Sequence, residues 1–182
     1  EAVFYGARRV ENLAVTDTDF YNWTNNGLLS KSYDTNRSPY YPKLDRNSAV
    51  LIENSANVVH NVTYSVAKPV TDVRQYAARV HYLPSQSGRK FLNLIIGDGG
   101  GTNFSQMHIK ADVTVPYVDS TGNNGAGFST PTYAAVAVSS RGWNLLGMAI
   151  PKQTAISANI SLGVQMSNAS GTGGAYLGNG SS

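Results

Sequence analysis

The sequence predicts an all-β fold, an antiparallel β-sandwich of jelly-roll type with an irregular N-terminal lead-in, and three observations predict it. Several short stretches alternate apolar and polar residues with a period of two, the spacing that sends successive side chains to opposite faces of a strand. Turn-forming pieces separate them: "LPSQSGR", "GDGGGTN", "DSTGNNGAGFSTP" and "NASGTGGAYLGNGSS". No window holds a sustained helical period, and only 14% of the 182 residues are charged, which suits a loop-rich β module better than a helical one.

Residues 1–46 make up the lead-in. Its stretch "YNWTNNGLLSKSYDTNRSPYYPKLDRN" is polar, aromatic and proline-containing, without a clear period. It is expected to be irregular chain wrapped over the sandwich, with Phe20 and Trp23 tucked into an edge. The sandwich follows over 47–182, in the same single domain. Strands are expected at 48–54 ("SAVLIEN") and 58–67 ("VVHNVTYSVA"). In the next, Tyr76, Ala78, Val80 and Tyr82 face inward and Ala77, Arg79 and His81 outward. The nearly continuous apolar run of 90–97 ("KFLNLIIG") predicts a central strand covered on both faces, or one beside an oligomer contact. The clearest alternation is "QMHIKADVTV", 106–115. It puts Met107, Ile109, Ala111, Val113 and Val115 on the core face, and Gln106, His108, Lys110, Asp112 and Thr114 toward solvent. Further strands are expected at 133–139 and 142–150. In the last, within 155–166, Ala158, Ile160, Leu162, Val164 and Met166 point in, while Asn159, Ser161, Gly163 and Gln165 point out.

Charge and composition exclude several roles. The net charge of +3 comes from scattered cations, and only Arg8-Arg9 and Arg89-Lys90 are adjacent. Tight phosphate binding needs several cations on one face, so no nucleic-acid partner is expected. No apolar run approaches a membrane span, so no membrane insertion is expected either. With no cysteine, there is neither a disulfide framework nor a thiolate metal site. The start, "EAVFYG", lacks both an initiator Met and the shape of a signal peptide, so the chain is expected to be part of a longer polypeptide.

The opening "EAVFYGARRVENLAV", followed by "DFYNW", resembles a lead-in of bacteriophage virion proteins, in which a Gly-Ala-Arg-Arg-Val-Glu-Asn-Leu phrase precedes a Phe-x-x-Trp element. The order "AVLIENS", "VVHNVTYSV", "RQYAARVHYL", "KFLNLII", "SSRGWNLLGMAI", "ISLGVQM" and "AYLGNGSS" is similar to the successive strands of phage-associated jelly-roll modules. Those modules are themselves similar to carbohydrate-binding modules and concanavalin-like lectins. The resemblance implies a virion component, on a tail appendage such as a tail fibre or as capsid decoration, located at the particle surface. Other virion proteins would be its partners, and it would form a homo-oligomer. It implies no catalytic activity. The family has sequence before the lead-in and a further Trp-, Gly- and Gln-rich strand after the Tyr-x-Gly-x-Gly turn. Here a fragment, or an edge supplied by a neighbouring chain, would account for both differences. In this reading Val10, Leu13 and Val15 pin the lead-in to the core, and Arg8 and Arg9 stay outside or pair with Glu11 and Asp17.

The residues show no active site. Glycoside hydrolysis needs two carboxyl groups flanking the scissile bond, and the strongest strand offers Asp112 alone. The three glutamates, Glu1, Glu11 and Glu53, all fall in the first third. His60, His81 and His108 have no metal-ligand spacing, and no Gly-x-Ser-x-Gly elbow is present. "GDGGGTN" lacks the Gly-Lys-Ser/Thr ending of a phosphate loop and leads into a strand. No cofactor is expected. A structural Ca²⁺ would take its oxygen ligands from Asp98 or Asp119 with Asn103, Asn123 and Asn124, but the spacing matches no calcium loop.

Sugar recognition is the function that the residue types fit best, because it takes an exposed aromatic ring flanked by hydroxyl-binding polar groups. Tyr33, Tyr40, Tyr41 and Tyr117 sit in polar contexts. The outward row Arg79, His81, His108, Lys110 and Asp112 would supply the polar part if its two strands pair, with Tyr117 as the ring. The expected function is therefore a non-enzymatic virion structural protein whose sandwich binds host-surface carbohydrate, a bacterial surface polysaccharide. Two alternatives stand beside it: a purely structural decoration, cement or fibre-oligomerisation protein, and a polysaccharide depolymerase in which Asp112 finds an acidic partner.

Overall fold

A computed structural model describes residues 23–34, 48–67, 75–83, 91–98, 102–111, 113–125, 127–138, 143–151, 159–167 and 176–177. These residues form strands and no helix, so the all-β expectation holds. The strands are β1 (Thr24–Asn26), β2 (Leu28–Asp34), β3 (Ser48–Glu53), β4 (Asn57–Val58), β5 (His60–Ala67), β6 (Tyr76–Tyr82) and β7 (Phe91–Gly97). They continue with β8 (Phe104–Lys110), β9 (Tyr117–Asn124), β10 (Tyr133–Val138), β11 (Asn144–Ile150), β12 (Asn159–Ser167) and β13 (Tyr176–Leu177).

All pairings are antiparallel. A six-stranded sheet runs β1-β5-β12-β7-β8-β9, and a three-stranded sheet runs β10-β11-β6. Two short ribbons, β2-β3 and β13-β4, complete the set. The chain passes between the two larger sheets repeatedly: β5 belongs to the first, β6 to the second, β7 to β9 to the first, β10 and β11 to the second, and β12 to the first.

One apolar core joins them. Leu94, Met107, Ile109 and Val164 of the larger sheet are buried in the same cluster as Val80, Leu146, Met148 and Ile150 of the smaller. Each such side chain contributes roughly 1.5–3 kcal/mol by leaving water. Register explains why these residues meet. Val62, Val164, Leu94 and Met107 are direct partners across β5, β12, β7 and β8 and share one face. On the smaller sheet, Val80 opposes Leu146 and Ala78 opposes Met148. The inward set Tyr76, Ala78 and Val80 is buried as the alternation requires. The run "FLNLII" is a central strand, since β7 lies between β12 and β8.

Three sequence expectations need correction. Within the segment expected to be irregular, 24–26 and 28–34 are strands, the first beside β5 and the second beside β3. The stretch "YVDSTGNN", expected partly as turn, is β9. The alternation of 106–115 does not carry a strand to its end: β8 stops at Lys110, and Val113 and Val115 are 37% and 68% exposed instead of facing the core. Trp23 is buried as expected and stacks on Tyr64, with ring centroids 5.5 Å apart. The expectations for Phe20, Arg8, Arg9, Ala158, Tyr40 and Tyr41 lie outside the described residues.

Gly27, between β1 and β2, shows how the sequence fixes this edge. Its φ is +67°, a left-handed conformation that costs side-chain-bearing residues roughly 1–2 kcal/mol. A Cβ there would lie 2.6 Å from Val59 O and 2.8 Å from His60 Nδ1. The close approach has a use, because Gly27 O accepts hydrogen bonds from Asn54 N at 2.9 Å and from buried His60 Nδ1 at 2.6 Å. His60 is thus a structural clasp.

Candidate functional site

The face of the six-stranded sheet that turns away from the core carries the polar chemistry. In an antiparallel sheet, directly opposed residues share a face, so the register lays out rows across the strands. One row reads Gln165, Asn93, His108 and Ser120 across β12, β7, β8 and β9. The next row toward the sheet end reads Ser167, Phe91, Lys110 and Tyr117.

The first row is an ordered polar floor. Asn93, His108 and Gln165 are buried. His108 Nδ1–H donates to Asn93 Oδ1 at 2.5 Å, since the amide oxygen can only accept. That bond fixes the tautomer and leaves Nε2 of the neutral ring as an acceptor. Burial lowers the His108 pKa from its ordinary 6.5, and the neighbouring Asp119 carboxylate opposes the fall. Ser120 Oγ, across from His108, is buried and has no hydrogen-bond partner among the described residues. His108 and Gln165 were expected to face solvent. A period of two correctly puts them on the non-core face, but both are buried there.

The second row is a rim. The Lys110 ammonium lies over the buried Phe91 ring, 4.6 Å from its centroid, a contact worth roughly 0.5–2 kcal/mol. Opposite Lys110, the Tyr117 side chain is 51% exposed. A β-bulge creates this arrangement. His108 pairs with Ser120 but Ile109 pairs with Val118, so Asp119 is an extra residue on β9. The extra residue resets the alternation: Val118 packs against the core, and Tyr117 comes up on the polar face beside Lys110.

The six residues singled out from sequence do not form one row. His108, Lys110 and Tyr117 share the polar face of the six-stranded sheet. Arg79 and His81 lie on β6 of the other sheet, on its outer side, opposite Gly147 and Leu145 of β11. The strands β6 and β8 belong to different sheets, so His81 and His108 do not meet as paired neighbours. Arg79 is exposed and His81 half-buried, its pKa lowered by that burial. Asp112 lies outside the described residues. Sequence reasoning missed Phe91, Asn93 and the bulge at Asp119; a polar Asn inside "FLNLII" was the available signal for the second.

The candidate calcium ligands separate into two places. Asp98, Asn103, Asn123 and Asn124 gather where β7, β8 and β9 end, but their amides tie loops together. Asn103 Nδ2 donates to Asp98 Oδ2 at 2.6 Å, Asn124 Nδ2 to Thr102 O at 3.0 Å, and Asn123 Nδ2 to Phe128 O at 2.9 Å. Asp119 lies five strand positions from Asn124, roughly 16 Å at ~3.3 Å per residue. Among the described residues, no three His, Cys, Asp or Glu side chains are grouped to hold a metal. The same spacing keeps Asp98 and Asp119 from flanking one glycosidic bond, which needs carboxyl groups about 5–10 Å apart. Glu53 is fully buried.

On the smaller sheet, Tyr82 and Asn144 oppose each other. Tyr82 Oη and Asn144 Oδ1 are both buried without a bond of good geometry among the described residues. Burial pushes the phenol up to about 12, with the Asn144 amide opposing. This pair lies on the core side and belongs to packing.

No protein-family model matches the chain, and neither the curated proteins nor the solved structures include a match to it.

Proposed function

We propose that this chain is a non-enzymatic β-sandwich module of a phage particle that contacts carbohydrate on the host surface through the polar face of its six-stranded sheet. The observation that carries the reading is the pairing of a pre-bonded polar floor, His108 on Asn93, with an exposed aromatic rim at Tyr117. A pyranose has an apolar face that stacks on a ring and hydroxyls that need oriented donors and acceptors. The exposed Tyr117 ring and the Lys110 ammonium supply these, and the buried floor beneath holds the rim in place before binding. The virion setting is supported by the resemblance of the lead-in phrase and strand order to phage proteins. Weak single sites suffice there, because many copies on one particle multiply avidity.

The test is a glycan array probed with the domain displayed multivalently. Binding to bacterial surface polysaccharides is expected, with Tyr117→Ala reducing it at least about tenfold, or ~1.4 kcal/mol. Silence across the array contradicts the reading. A structural role, as decoration, cement or oligomerising protein, is favoured by the exposed apolar side chains at Val113, Val115 and Tyr117. Native mass spectrometry showing a stable homo-oligomer that Val115→Asp dissociates, without sugar affinity, would support that role instead.

A further inference from the structure

Resting on the carbohydrate reading, we propose that the corner formed by Lys110 and Tyr117 selects acidic pyranoses, sugars that carry a ring carboxylate, over neutral ones. The exposed large hydrophobic side chains of the described residues, Val113, Val115 and Tyr117, all fall within five consecutive positions. That concentration marks where an apolar sugar face finds a platform. Lys110 stands directly across from Tyr117. Opposed residues of an antiparallel pair hold their Cβ atoms about 4.5–5.5 Å apart, comparable with the width of one pyranose ring. The ammonium leans over Phe91, on the side of β8 away from Tyr117, so a sugar stacked on Tyr117 meets it with an exocyclic carboxylate that reaches across β8.

The cation is held in place rather than left to sweep through solvent. Its position over Phe91, 4.6 Å from the ring centre, restricts the long side chain before any ligand arrives. The floor does not compete for a carboxylate, because Asn93, His108 and Gln165 are buried. A neutral sugar gains the stacking but not the charge-assisted hydrogen bond.

The experiment uses the chain displayed on beads against polygalacturonate, alginate and hyaluronate, each beside its carboxyl-reduced form. Reduction turns each uronate into the neutral hexose with the same linkages. Retention on at least one acidic polymer is expected, weaker by about tenfold on its reduced partner and weakened by salt. Lys110→Gln should erase the difference between the two forms, Lys110→Arg should keep it, and Tyr117→Ala should weaken both. Circular dichroism of each variant confirms that it folds. Equal retention on both forms, or binding confined to neutral glycans, overturns the acid selectivity and leaves the carbohydrate reading standing. Retention on no polymer, acidic or neutral, overturns both.

Discussion

His108 is buried on the face where a polar residue in an alternating strand is ordinarily wet, and the consequence is measurable. Burial makes the folded chain bind this proton less readily than the unfolded chain, for which the ordinary value of 6.5 applies. The stabilisation is complete above 6.5 and is lost as pH falls through the lowered folded-state value, because the unfolded state then holds more protons. His81, shifted the same way, adds to the effect. Urea unfolding on either side of 6.5 should show wild type losing stability on acidification, and His108→Gln losing less. Identical losses in the two proteins would remove His108 from the account. Gln keeps a donor for Asn93 and lacks the titration, so the comparison isolates the proton from the hydrogen bond.

Among elements, β9 decides where the site is and also why the sequence hid part of it. β6 was readable because "YAARVHY" keeps strict alternation, and β7 because an unbroken apolar run marks a central strand. In β9 the bulge interrupts the period, so "YVDSTGNN" reads as turn although it pairs along its length with β8. β1 was missed for a different reason: Thr24, Asn25 and Asn26 are exposed and carry no apolar set, and pairing with β5 alone makes them a strand. Past Lys110 the opposite error occurred, with Val113 and Val115 continuing an alternation that the backbone no longer follows. The two faces of β8 were legible; that the His108 face is buried was not, since alternation tells one face from the other and not how deeply each is covered. Deleting Asp119 tests the role given to the bulge. With the extra residue gone, Ser120, Val118 and Tyr117 alternate as a regular strand in the same pairings, so Tyr117 should stay on the polar face, Val118 should stay on the core, and glycan binding should persist. Loss of binding in a deletion variant that circular dichroism shows to be folded would mean that the bulge does more than set the phase.

Across the whole molecule, the two large sheets spend their residues differently. Both give one face to a common core, but their outer faces diverge. The six-stranded sheet carries an ordered polar floor with an aromatic, cationic rim, whereas the smaller sheet sets Arg79 and His81 against Gly147 and Leu145. The partition depends on β12, which enters between β5 and β7 and pairs Val164 with Val62 and Leu94 at once. Such long-range pairing makes folding slow, since loop closure comes before the contacts that reward it. It also makes the central rows rigid, which is what a preformed binding face requires. Amide chemical-shift mapping, with an oligosaccharide drawn from the array hits, addresses the central claim most directly. The account predicts shifts concentrated at Phe91, Asn93, His108, Lys110 and Tyr117, with β6 and β11 silent. Shifts centred on Arg79 and His81 instead would place the binding face on the wrong sheet and contradict it.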